Sequence, residues 1–169
     1  MVNFEDLSKG DLLKVINVYA KNWLAHDGCW FIAAEEKYGM DTAIELDKKS
    51  WERFAVIEAR RIIKEFGIEL NGGLKALEKA FSYRLYAAIN KQAVEWVDEK
   101  TLRFYMIECR VQKTRHDKNM PLFPCKQVGI IEFTQFAKTI DPRIKTTSIS
   151  CPPDPVKDFY CGWEFTIEE

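Results

Sequence analysis

The chain has 169 residues, of which 47% are apolar and 30% are charged. This length and composition predict one compact domain with a sizeable core and exclude a disordered chain. The 25 basic and 26 acidic residues give a net charge of −1, which excludes a protein that coats nucleic acid. No apolar run reaches the ~18–20 residues of a membrane-spanning helix, and the N-terminus lacks the pattern of a signal peptide. We therefore expect a cytoplasmic protein with neither a nucleic-acid nor a membrane partner.

The first predicted elements are two helices. Ser8 and Asp11 have the spacing of a capping box, with Asp in place of the usual Glu, and an apolar face follows them. Asp27 is predicted to cap a second, shorter helix, which Gly39 ends. The sequence thus predicts a break in helical structure near residue 27.

Two further helices are predicted before residue 90. Asp41 is expected to cap a long third helix that runs to about Phe66, with Gly67 as its stop. A turn follows at residues 71–73, and the pattern from 74 to about 89 predicts a fourth helix.

The second half of the chain changes to a period typical of strands. Two strands are predicted at 93–97 and 101–109, followed by a basic loop at 110–124 and a helix at 125–139. Two further strands are predicted at 145–151 and 161–167. The expected fold is α+β, with N-terminal helices packed on a ββαββ unit that forms a four-stranded antiparallel sheet. We predict a single domain over 1–169, with a helical half at 1–90 and a cysteine-bearing half at 91–169.

Cysteines are the first candidate functional residues. The chain has five of them, an odd number that argues against a disulfide framework. Four fall at predicted strand and helix ends, namely Cys109, Cys125, Cys151 and Cys161. Cys125 begins a helix, where the positive end of the helix dipole favours a thiolate. The spacings are wider than those of usual zinc-binding pairs, and small buried hydrophobes are the alternative interpretation.

The basic loop and two acidic residues are the other candidates. Arg110, Arg115 and His116 could bind a carboxylate or phosphate, although a solvated charged loop has the same composition. Asp47 and Glu58 share an apolar helical stripe, so they are candidates for a general base or a metal ligand. Glu58 could equally pair with Arg61 or Arg84 at the edge of the core.

Several segments carry a resemblance to a known group of proteins. They are HDGCWFIAAEEKYGMDTAIELDKKSWERFAVIEARR, CRVQKTRHDKNMPLFPCKQVG, IDPRI and SCPPDP…FYCGWEF. Together they resemble a family of small prokaryotic proteins of unknown function, which looks related to the L-2-amino-thiazoline-4-carboxylic acid hydrolase-like proteins. This resemblance implies hydrolysis of a non-peptide C–N bond that opens a cyclic amidine to S-carbamoyl-cysteine. It implies no residue roles beyond placing the four cysteines in the recognisable motif.

The first functional hypothesis is an enzyme that acts on a small cyclic amidine carboxylate. Arg110 or Arg115, with His116 nearby, would hold the carboxylate, and Asp47 or Glu58 would move protons. A thiolate of Cys125 or Cys151 would attack the amidine carbon. Alternatively, the thiolates would hold a zinc or iron ion that activates water, with Cys109, Cys125, Cys151 and Cys161 as its candidate ligands.

Two other hypotheses keep the same cysteines without catalysis. In one, the protein is a binding module that uses the cysteine cluster to hold a small-molecule ligand or a metal ion. In the other, the cysteines are inert core residues and the long helices build a homodimer.

Overall fold

The computed structural model describes residues 2–168. Five α-helices and four strands lie in this part of the chain, with short 3-10 turns at Phe4–Asp6 and Leu85–Ala88. In chain order they are α1 (Lys9–Tyr38), α2 (Met40–Phe66), α3 (Gly73–Phe81), β1 (Lys91–Asp98), β2 (Thr101–Glu108), α4 (Arg110–Asp117), α5 (Lys126–Ile140), β3 (Ile144–Ser150) and β4 (Cys161–Ile167).

The four strands form one antiparallel sheet, which confirms the predicted α+β fold. The strand order is β1-β2-β4-β3, so each predicted hairpin is present and β2 and β4 join them in the centre. Phe104 of β2 pairs with Trp163 of β4, and Phe165 of β4 pairs with Thr146 of β3. The aromatic members of these pairs belong to a core to which helices α2, α3 and α5 also contribute.

The two helices predicted around Asp27 form one continuous helix, so the predicted break is wrong. Asp27 and Gly28 both lie inside α1. A single glycine costs a helix only about 1 kcal/mol relative to alanine, and the segment contains no proline. Ser8 is confirmed as the N-cap residue of α1, because its Oγ accepts a hydrogen bond from the Asp11 amide at 3.1 Å. The Asp11 carboxylate accepts a hydrogen bond from Ser8 Oγ at 2.7 Å, which replaces the bond to the Ser8 amide that a capping box has.

The N-terminal half of α1 presents an apolar surface to solvent. Leu13, Ile16 and Tyr19 are each more than half exposed. This surface is the one that the predicted homodimer would cover, and the homodimer stays a prediction.

Gly39 makes the turn between α1 and α2. The φ of Gly39 is 82°, a value that suits glycine. Gly39 is also the N-cap residue of α2, so no side chain caps this helix. The prediction that Asp41 caps this helix is therefore wrong. Asp41 lies in the first turn, where its charge still complements the helix dipole. The predicted end is confirmed, because Gly67 follows Phe66 with a left-handed φ of 57°.

The fourth predicted helix is shorter than its sequence pattern indicates. α3 ends at Phe81, and Arg84 adopts an extended conformation before the 3-10 turn. The reason lies in the Arg84 side chain, which is buried against carboxylates from two other helices. A buried charge requires such partners, and this requirement overrides the helix propensity of the segment.

The segment predicted as a basic loop contains a helix. α4 covers Arg110–Asp117, and its buried side chains, Gln112 and Arg115, are polar. Hydrophobic periodicity therefore gave no sign of this helix. Beyond it, the predicted helix at 125–139 is confirmed as α5, with Cys125 as its N-cap residue.

Close packing between α5 and the sheet depends on Gly129. A Cβ atom at this position would lie 2.6 Å from Trp163 Cζ2, and the Trp163 side chain is fully buried. The absence of a side chain therefore lets the helix lie directly on the indole.

We predict that Gly129→Ala destabilises the protein by about 1–3 kcal/mol, because overpacking outweighs the higher helix propensity of alanine. Gly28→Ala is a matched control, since Gly28 is also helical but has no atom within 4 Å of an added Cβ. That change should stabilise the protein by about 0.5–1 kcal/mol. Denaturant unfolding measures both, and a Gly129→Ala variant as stable as the parent would contradict this packing.

Candidate functional site

A cavity of about 320 Å³ lies between the helical layer and one end of the sheet. Its walls come from α1, α2, α4, the start of α5, and the sheet end where β2 stops and β4 begins. Most of its lining is apolar and includes Leu24, Phe31, Trp51, Met106, Phe123, Val128, Phe133 and Trp163.

The four predicted cysteines converge on this cavity, together with the exposed Cys29. Cys125 and Cys151 are in direct contact, with their sulfur atoms 3.4 Å apart. Cys151 is almost fully buried, while Cys109, Cys125 and Cys161 are partly buried against the same core. The cysteines thus lie at the edge of the core and also form part of the cavity wall.

Three interactions connect the backbone around Cys125 to the backbone around Cys151. The Lys126 amide donates a hydrogen bond to the Pro152 carbonyl at 2.9 Å. The Lys126 ammonium pairs with Asp154 at 2.8 Å, and Asp154 Oδ2 accepts a hydrogen bond from the Cys151 amide at 3.2 Å. The segment after β3 is therefore held against the first turn of α5.

Gln112 fixes the other side of Cys125. Its side-chain amide is buried and donates hydrogen bonds to the Phe123 carbonyl at 2.8 Å and to Cys125 Sγ at 3.5 Å. Gln112 Oε1 accepts a hydrogen bond from the Phe123 amide at 3.0 Å. One glutamine therefore orders the loop before α5 and also contacts the thiol.

These contacts give the thiols different pKa values. Hydrogen bonds from Cys151 and Gln112 lower the pKa of Cys125 despite its burial. Hydrogen bonding with the sulfurs of Cys125 and Cys161 raises the pKa of Cys151, and burial raises the pKa of Cys109 to about 12. Since the thiolate is the nucleophile, Cys125 is the best placed of these three to react.

Carboxyl groups occupy another part of the cavity wall. Asp27, Asp47 and Glu132 all line it. Burial, and then the nearby charges of Asp27 and Glu132, raise the pKa of Asp47 to about 7. Burial also raises the pKa values of Asp27 and Glu132. Asp47 can therefore exchange a proton near neutral pH, as the general-base prediction requires.

Behind this wall, one arginine bridges two glutamates. Arg84 Nη2 lies 2.9 Å from Glu58 Oε2 and 2.7 Å from Glu132 Oε1. The alternative interpretation of Glu58, pairing with Arg84, is thereby confirmed. Glu58 is not among the residues that line the cavity, so the structure does not favour it as a general base.

Two of the three predicted anion-binding residues, Arg110 and Arg115, line the cavity, whereas His116 does not. The Arg115 guanidinium forms two hydrogen bonds to Glu35, at 2.9 and 3.0 Å, and one to the Pro121 carbonyl at 2.7 Å. The His116 side chain is 83% exposed and lies 3.5 Å from Asp117. Arg110 is exposed and lines the cavity. Of the three predicted residues, only Arg110 remains available to a ligand carboxylate.

The predicted zinc or iron site receives no support from the geometry. Within residues 2–168, no group of three or more His, Cys, Asp or Glu side chains is arranged to hold a metal ion. Sulfur contacts join Cys151 to Cys125 and to Cys161, but the cysteines of residues 2–168 do not have the arrangement that a metal ion requires.

Sequence reasoning missed several residues of this site. Asp27 was expected only as a helix cap, and Gln112 was hidden in a segment assigned as loop. Asp27 does lie three and four residues from Leu24 and Phe31, so it shares their helical face once α1 is continuous. No sequence signal marks Gln112, because the hydrophobic pattern of a sequence does not distinguish a buried glutamine from an exposed one.

Comparisons with known proteins identify a family but no activity. Residues 5–167 match the family of unknown function DUF6125, and the chain belongs to that family. Neither a curated protein nor a solved structure matches it significantly. None of the comparisons links it to the L-2-amino-thiazoline-4-carboxylic acid hydrolase-like proteins. Among the described helices, none is both long and apolar enough to cross a bilayer.

Proposed function

We propose that this member of a family of unknown function binds a small organic cation, an amine or amidine on an apolar body, in the thiol-lined cavity. The observation that carries the proposal is the set of carboxyl groups, Asp27, Asp47 and Glu132, in a largely apolar wall whose basic side chains belong to α4 and the residue after it. A cation would lower the cost of ionising these groups, because it reduces their mutual repulsion.

Salt bridges account for some of the charges around the cavity but leave two of its carboxyl groups without an arginine or lysine partner. Arg84 is shared between Glu132 and Glu58, so one guanidinium faces two carboxyl groups. The Arg115 charge is balanced by Glu35. Arg110 and Lys118 also line the cavity, but within residues 2–168 neither Asp27 nor Asp47 forms a salt bridge with an arginine or a lysine. His26 lies near Asp27, and Trp51 hydrogen-bonds to Asp47. Burial strengthens the attraction of both carboxylates for a cation.

The rest of the lining suits an apolar ligand body that also carries a hydrogen-bond acceptor. Aromatic rings of Phe31, Trp51 and Phe133 line the cavity, and pockets of this kind usually combine apolar walls with a few polar groups. Asn90 Nδ2 and Trp163 Nε1 are buried donors without a hydrogen-bond partner in residues 2–168. Both residues line the cavity and supply donors for such an acceptor.

Free thiols support a reducing location for this function. All five cysteines are unpaired, which is typical of proteins in the cytoplasm. The predicted cytoplasmic location is part of the proposal on this ground.

A second candidate function is hydrolysis of a C–N bond in a cyclic amidine. Cys125, with its lowered pKa, and Asp47, with its pKa near 7, line the same cavity. The thiolate would form a C–S bond to the amidine carbon, and the displaced C=N electron pair would take a proton from Asp47. The ring C–N bond would then break as the ring nitrogen takes a proton from the exocyclic amino group through solvent, which opens the ring and leaves a C=NH group on Cys125. Water would add across that C=N bond, and loss of its remaining proton to Asp47 would form the carbonyl and expel the Cys125 thiolate. The assay incubates the protein with 2-amino-thiazoline-4-carboxylate and uses mass spectrometry to detect the product that has gained one water. Loss of this product in Cys125→Ser is expected, and turnover by that variant would exclude the assignment.

The binding proposal is tested with benzamidine, a cation, and benzamide, its neutral counterpart. At about pH 8.5, where Asp47 is ionised, benzamidine should bind at least about tenfold more tightly than benzamide. Because the pKa of Asp47 is about 7, benzamidine affinity should fall as the pH decreases through neutrality and the carboxylate takes up a proton. Isothermal titration calorimetry measures both dissociation constants across the pH range.

Asp47→Asn should remove the pH dependence near neutrality and most of the preference for the cation. Asp41→Asn is the matched control, since Asp41 is an exposed carboxylate on the same helix and its replacement should change neither. Equal affinities for benzamidine and benzamide, or no binding of either, would contradict the proposed cation site.

A further inference from the structure

We propose that Cys125 and Cys151 act as an attacking and a resolving thiol that together reduce a small disulfide bound in the cavity. The pair itself follows from the geometry of the two sulfurs. Only the choice of disulfide, one that carries amino groups, rests on the proposed cation site.

The first argument is the contact between the sulfur atoms. Cys125 Sγ and Cys151 Sγ are 3.4 Å apart, with one thiol donating to the other. A disulfide requires a sulfur separation of about 2 Å, with its Cβ atoms about 4 Å apart. Only a small side-chain movement is therefore needed to join these two residues.

The second argument is the backbone that holds them. The Lys126 amide is bonded to the Pro152 carbonyl, and the Lys126–Asp154 ion pair is bonded in turn to the Cys151 amide. The two segments are thus already tied beside both cysteines. Reduced and oxidised forms can share one backbone arrangement, as a reversible dithiol requires.

The third argument is the difference between the two sulfurs. Cys125 is partly exposed at the N-terminus of α5, and it accepts a hydrogen bond from Gln112. Cys151 is 1% exposed and lies behind it. An incoming disulfide therefore meets Cys125 first, while Cys151 is placed to attack only after Cys125 has reacted. Attack by an accessible thiolate followed by resolution by a second thiol is the usual course of thiol–disulfide exchange.

The reaction balances in two steps. The Cys125 thiolate attacks one sulfur of the substrate, forms a mixed disulfide and releases the other half as a thiolate. Cys151 then gives its proton to that thiolate and attacks Cys125 Sγ, which forms the Cys125–Cys151 disulfide and releases the second half as a thiolate that water protonates. The two cysteines supply two electrons, and a small dithiol reductant would return the pair to its starting state.

The test uses cystamine, a disulfide with two amino groups, and dithiodipropionate, a disulfide with two carboxylates. With reduced full chain, each turnover should release about two equivalents of thiol and leave an intramolecular disulfide. Peptide mapping by mass spectrometry should place that bond between Cys125 and Cys151. The same map distinguishes an adduct on the exposed Cys29 from products at Cys125 and Cys151.

Removal of the resolving thiol should trap the intermediate. Cys151→Ser and Cys151→Ala should both release only about one equivalent of thiol and keep a mixed disulfide on Cys125. Two replacements are used because one of them could disturb folding, which circular dichroism reports. Cys161→Ser is the matched control, since Cys161 lies in the same cluster, and it should behave as the parent protein does.

Distinct outcomes separate this proposal from the cation site. A lasting adduct on Cys125 in the parent protein, or trapping by Cys161→Ser in place of the Cys151 variants, would overturn the thiol pair. Faster reaction with cystamine than with dithiodipropionate supports both proposals. Equal rates would contradict the cation site, while trapping on Cys125 would still support the pair.

Discussion

A guanidinium buried between two carboxyl groups joins the helices that form the cavity. Arg84 is 3% exposed and bonds Glu58 on α2 and Glu132 on α5, and its guanidinium lies 4.6 Å from the centre of the Phe136 ring. Loss of one partner from such a network typically costs about 3–5 kcal/mol, so the contact constrains how α2 can sit on α5. The single positive charge of Arg84 is shared between two carboxyl groups, so it does not fully balance both. Glu132 therefore remains a negative neighbour of Asp47, whose pKa is raised to about 7 by burial and then by the charges of Asp27 and Glu132.

Much of the fold could be predicted from hydrophobic period alone. Strand β2 alternates clearly, because Leu102, Phe104 and Met106 are all buried on one face. The errors arose where a tertiary contact or a polar interior decided the structure. α4 was missed because its buried residues are Gln112 and Arg115, and the segment around Arg84 was assigned as helix because its ion pairs lie far away in sequence. Local patterns do not contain these partners.

The candidate site was predictable in its residue types but not in its geometry. Cysteines at strand and helix ends marked the candidate residues, but the sequence did not show whether they converge. In the structure Cys125 and Cys151 are in contact. The pairing of Arg115 with Glu35 was not predictable, because 80 residues separate them in the chain. That contact removes Arg115 from the predicted carboxylate site. The acidic wall was also hidden, because Asp27 joins Asp47 only when α1 continues through residue 27.

The central claim is that the cavity holds buried carboxyl groups, one of which ionises near neutral pH, and titration of these groups tests it most directly. Carbon-13 NMR of carboxyl-labelled aspartate over about pH 3–9 would follow each group through its own midpoint. We predict one resonance that titrates at a pKa of about 7 and that is absent from the Asp47→Asn variant. Titration of every aspartate near its ordinary pKa of about 4 would contradict the account.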